Sequence, residues 1–118
     1  MITLKRHLTA WAFQNAWANH RLLTACAALT AEEFAAKRTG FFPSLKATLN
    51  HIVTVDWMYV DAMERALDGR PPHPNIAEFY EPQEPFDEVI DLADEQAETD
   101  RRLIAVCEQA SEADYERR

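Results

Sequence analysis

Apolar residues recur at three- and four-residue steps through most of the chain, a period that predicts helices. Leu4, Leu8, Trp11, Ala18, Leu22, Ala25 and Leu29 form one such stripe, with Thr3 placed to cap it. Phe13, Trp17 and Leu23 lie off that stripe, so the helix from Leu4 to Leu29 presents a broad apolar side suited to more than one neighbour. Thr30 and Glu33 have capping-box spacing, which predicts a short helix or turn over 30–37 that Gly40 ends.

A second long helix is expected from Ser44, its N-cap, to about Asp68, where Gly69 supplies the stop. Its stripe is Leu45, Leu49, Ile52, Asp56, Val60, Met63 and Leu67, with an acid in the middle. Residues 69–85, GRPPHPNIAEFYEPQEP, hold five of the six prolines and read as a connection rather than a helix. The third long helix should start near Phe86 or Asp87 and reach about Ala110, burying Phe86, Val89, Leu92, Gln96, Thr99, Leu103, Val106 and Ala110. Three long helices with these connections predict an all-α, up-down helical bundle.

Composition narrows this picture without changing it. The 118 residues are 47% apolar and 27% charged, with two Gly, as expected of one soluble domain. The net charge of −8 is uneven: residues 1–50 carry +4 and residues 51–118 carry −12. An acidic surface with no basic patch excludes nucleic acid as a partner. No apolar run approaches a membrane span and no signal-peptide core is present, so no membrane association and a cytoplasmic location are expected. Cys26 and Cys107 lack metal or redox spacing and read as buried thiols. No phosphate-binding loop, HExxH or GxSxG motif is present.

Candidate chemistry rests on four histidines and a few polar residues set in apolar stripes. With Ile52 at the centre of the buried face, His51 falls about 100° away, at the boundary, where it could be a structural residue or a metal ligand. His20 stands among Ala16, Trp17 and Leu23 and could point inward, whereas His7 and His73 read as solvent-facing. Asp56 in its stripe needs a donor, such as a hydroxyl, the indole of Trp11 or Trp17, or the imidazole of His20. Asn15, Asp56, Gln96 and Thr99 would form a common polar level if the helices pack in register, as either an active site or a satisfied polar layer. Trp57, on the side of Asn50, Asp61 and Glu64, reads as an exposed indole marking a protein contact.

The segments HLTAWAFQNAWANHRLLTACAAL and LTAEEFAAKRTGFFPSLKATLNHIVTVDWMYVDAME follow in an order that resembles the DinB family, including the DinB/YfiT-like metalloenzymes and their thiol-transferase relatives. The most specific part is FFPSLKATLNHIVTVDWMY, where an aromatic turn and Ser44 open a helix carrying His51, Asp56 and Trp57. The resemblance implies a four-helix bundle holding zinc or nickel through three histidines, one of them matching His51. The other two form an HxxxH pair on a fourth helix, and this sequence contains no HxxxH. Residues 1–118 are therefore expected to be a single DinB-like domain lacking its C-terminal metal-bearing helix, with three of four long helices visible.

Two functions follow from the resemblance. One is a metal-dependent hydrolase or thiol S-transferase acting on a small-molecule substrate, with His51 as a metal ligand and no catalytic residue assigned. The alternative is a metal-free helical protein that self-associates without catalysis. Broad apolar helix faces predict a homodimer in either case.

Overall fold

The computed structural model describes residues 1–117. Helix α1 spans Leu4–Cys26, and the Thr3 hydroxyl accepts the Arg6 N–H at 3.1 Å, as its N-cap position predicts. Helix α2, Ala31–Ala35, carries the capping box, with Thr30 and Glu33 bonding each other's backbone N–H groups. Helix α3, Leu45–Leu67, starts at Ser44, whose Oγ accepts the Ala47 N–H at 2.9 Å. It ends at Gly69, whose φ of 68° is readily adopted only without a side chain. The proline-rich connection contains one 3-10 turn, Ile76–Phe79, and leads into helix α4, Val89–Gln109.

A last short helix, α5, covers Glu112–Glu116, beyond the point where the apolar period fades. Ser111 and Asp114 form a second capping box there. The Glu112 carboxylate accepts the Lys5 N–H at 2.9 Å, capping the start of α1 from the other end of the chain. Tyr115 donates its hydroxyl to the Cys107 carbonyl at 2.8 Å, and burial pushes the phenol up to about 12.

Helix α4 is the centre of the arrangement: α1 packs on one side of it and α3 on the other, while α1 and α3 make little contact with each other. The apolar core lies at the α2 end, where Leu23, Cys26, Phe34, Leu49 and Leu92 close together. Among the described residues there is no strand, so the all-α bundle with three long helices is the observed architecture.

Two helices are turned relative to their sequence stripes. On α3 the buried residues are Ala47, Leu49, Asn50, Val53, Thr54 and Val60, centred about 100° from the middle of the stripe that runs from Leu45 to Leu67. Asn50 explains the turn. Its side-chain amide donates to the Phe86 carbonyl and its oxygen accepts the Phe86 N–H, both at 2.9 Å, so a fully buried amide ties α3 to the entry of α4. The same turn brings Trp57 onto α4, where its indole donates to Glu95 at 3.0 Å and its ring meets Phe86 edge-on. Trp57 is thus an internal contact and not a free indole offered to a partner.

On α1 the face toward α4 is Ala12, Leu23 and Cys26, flanked by Asn15 and Asn19, while Trp11 and Leu22 stay exposed. Small and amide side chains occupy the contact, and the large apolar ones flank it.

Candidate functional site

The middle of α4 buries three polar side chains in succession, Gln96, Thr99 and Asp100, each at most 3% exposed. Thr99 is satisfied locally, donating to the Glu95 carbonyl at 2.8 Å. Gln96 and Asp100 are four residues apart and therefore share one face. The Gln96 Nε2 donates to Asp56 Oδ2 on α3 and to Asp100 Oδ1, both at 2.9 Å. From α1, Asn15 donates to Asp100 at 3.3 Å, and Asn19 reaches both carboxylate oxygens at 3.2 and 3.1 Å.

The expected polar level therefore forms across all three long helices, with Asn15, Asp56 and Gln96 in it. Thr99 lies beside it, and the partner of Asp56 is the Gln96 amide rather than an indole or His20. Asn19 and Asp100, which the stripe pattern does not mark, complete the layer. The signal for both was spacing, since each lies four residues beyond a polar residue already placed in the level, Asn15 and Gln96.

Amides hold these two carboxylates, and among the described residues no cation does. The ion pairs of the described residues engage Lys46, Arg65, Arg70, His73, Arg101, Arg102 and Arg117 with other acids, and neither Asp56 nor Asp100 is among them. Burial pushes both carboxyls above the ordinary range. The donated amides oppose the shift, and the Asp100 charge adds to it at Asp56.

Beside the layer, α1, α2 and α4 enclose a cleft of 770 Å³. Its walls include Ala16, Leu23, Ala93, Ala97 and Ile104, and Asn19, Gln96 and Asp100 also line it. No α3 residue takes part. His20, a candidate to point inward, is exposed and lines this cleft.

His51 is exposed on α3, with its ring against Phe42 at 4.5 Å between centroids. Among the described residues no three His, Cys, Asp or Glu side chains come together as a metal would need, so the donor set for a closed zinc or nickel site is not present within them. His7 is exposed as expected and accepts the Trp11 indole N–H at 2.9 Å. His73 departs from its solvent-facing expectation. It packs against Phe79, and its Nδ1 accepts the Asn75 N–H at 3.0 Å, because the proline-rich connection folds back on itself. Cys26 and Cys107 are buried free thiols, and burial pushes Cys26 up, away from thiolate chemistry.

Fold and site together define an all-helical bundle domain whose polar groups are gathered between its helices rather than in loops. The chain belongs to the DinB family, whose model matches residues 4–118. No curated protein and no solved structure matches it. No described helix is long and apolar enough to cross a membrane.

Proposed function

We propose that this DinB-family chain works as a self-associating helical domain, a homodimer whose contact is the aromatic flank of α1. The supporting observation is the stripe Leu4, Trp11, Ala18 and Leu22, in which Trp11 is 61% and Leu22 is 44% exposed. Charge favours a second copy as its partner. Helix α1 carries Lys5, Arg6 and Arg21 with no acid, whereas α4 carries six acids against two arginines, so α1 of one copy is attracted to the acidic side of the other. Sedimentation at about 50 µM, far above the Kd of an interface of ordinary size, should show a dimer that Trp11→Glu and Leu22→Glu dissociate. A folded wild-type monomer under those conditions would refute the reading.

A second reading is favoured by His51 itself, whose imidazole has no hydrogen-bond partner among the described residues and stands open to solvent. In the metal-dependent hydrolase or thiol-transferase reading, His51 would hold zinc or nickel together with donors from outside the described residues, such as those of a second subunit. The metal would supply an acidified water or thiol there. Zinc and nickel titration of the wild type and His51→Ala tests this reading, which fails if both bind alike.

A further inference from the structure

Asp100 combines burial, an unmatched charge and a neighbouring cavity. Its carboxylate is 3% exposed, accepts three side-chain amides and meets no cation among the described residues. Buried carboxylates are ordinarily paired with a counter-charge, since amide donors offset only part of the lost hydration. The cleft it lines has a volume of 770 Å³, within the range of small-molecule sites. Its walls are largely apolar, Leu23, Phe34 and Ile104 among them, and Ala16, Ala93 and Ala97 leave space that larger side chains would fill. Its edge adds Glu88 and Asp94, and Asp87 that Lys46 pairs, against the single Arg101.

We infer that this cleft binds a small amphipathic organic cation, its apolar body against the alanine walls and its ammonium group completing the charge of Asp100. Charge selects this occupant. An anion would meet Glu88, Asp94 and Asp100 against one guanidinium, and a neutral apolar molecule would leave Asp100 uncompensated. A second copy of the chain is the occupant proposed for the other flank of α1, and cleft shifts that grow with protein concentration alone would place it here instead. The site lies on the opposite flank of α1 from Trp11 and Leu22, so it is independent of the proposed dimer contact.

The probe is 2-phenylethylammonium, compared with neutral 2-phenylethanol and anionic phenylacetate, followed by amide chemical shifts of the full chain. A ligand of about nine heavy atoms should bind with a Kd near ~1 mM. The cation should shift amides of Asn19, Ala93 and Ala97 saturably, and the alcohol and the anion should bind at least about tenfold more weakly. Asp100→Asn should weaken the cation by about tenfold without changing the alcohol. Ala97→Phe, at an exposed position of α4 on the cleft wall, places a ring in the cleft while keeping the Asp100 carboxylate and should abolish the shifts, which keeps the test decisive if Asp100→Asn unfolds. Equal binding of cation and alcohol, binding unchanged in Ala97→Phe, or cleft shifts that follow protein concentration without ligand would overturn the inference.

Discussion

Replacing Asp56 with Asn should stabilise the protein at neutral pH, although it removes a charged hydrogen-bond acceptor. The Gln96 nitrogen lies 2.9 Å from an oxygen of each carboxylate, so the two charged groups approach within about 6 Å of one another. At that separation two like charges repel by about 3 kcal/mol in an effective dielectric of about 20. Asp56 is only half-buried, and solvent screening brings the expected gain down to about 1 kcal/mol. Asn keeps the shape and an oxygen to accept the Gln96 N–H, so the layer itself should survive.

The pH dependence gives a sharper test. Burial first, and then the Asp100 charge, raise the Asp56 carboxyl, while the Gln96 hydrogen bond opposes them. The folded state therefore binds more protons than the unfolded state between the raised value and the ordinary one near ~3.9. Stability from this group rises as pH falls through the folded value and is lost as pH rises through it. Urea midpoints measured from pH 7 down to pH 4 should rise on acidification relative to those of Asp56→Asn. A variant less stable than the wild type at pH 7, with the same pH slope, would mean that the carboxylate is held favourably and that the layer is not strained by charge.

Other substitutions test single features. Thr9→Val removes the one buried side-chain oxygen without a partner among the described residues and should raise stability by about 1 kcal/mol, read as an increase in Tm. Trp57→Phe keeps the ring against Phe86 but loses the bond to Glu95. It should cost about 1 kcal/mol by urea denaturation, and no loss would show that the indole N–H contributes nothing to the α3–α4 contact. Gly69→Ala meets no atom that a new Cβ would strike, so its cost of about 1 kcal/mol should come from the left-handed backbone alone and be equalled or reduced by Gly69→Asn.

Helix positions and ends were legible because their signals are local. Thr3, Thr30, Ser44 and Gly69 cap or stop the helices that their types predict, and the stripe of α4 is buried nearly as read. The rotation of α1 and α3 was not legible, because it depends on which neighbour supplies hydrogen bonds. Asn50 reads as a surface amide until the backbone of Phe86, 36 residues away, is placed beside it. Asp100 reads as one more acid in a long acidic run until Asn15 and Asn19 arrive from α1. Nothing in the local sequence separates a carboxylate that will be buried from its solvated neighbours.

That rotation also links the layer to the surface. A rule that puts the largest apolar side chains inside would have buried Trp11 and Leu22 and exposed Asn15 and Asn19, yet α1 turns the asparagines toward α4. The buried Asp100 on α4 and the half-buried Asp56 on α3 need donors, and the amides of Asn15, Asn19 and Gln96 provide them. Because the polar level claims one face of α1, its aromatic residues are displaced to two flanks. Trp11 and Leu22 lie on one, and Phe13 and Trp17 lie on the side of the cleft. The exposed apolar surface thus follows from satisfying Asp100, and changes to the two should be separable in one direction only. Substituting Trp11 should leave the layer intact, whereas disrupting the layer removes the reason for the orientation of α1 and should alter both flanks together.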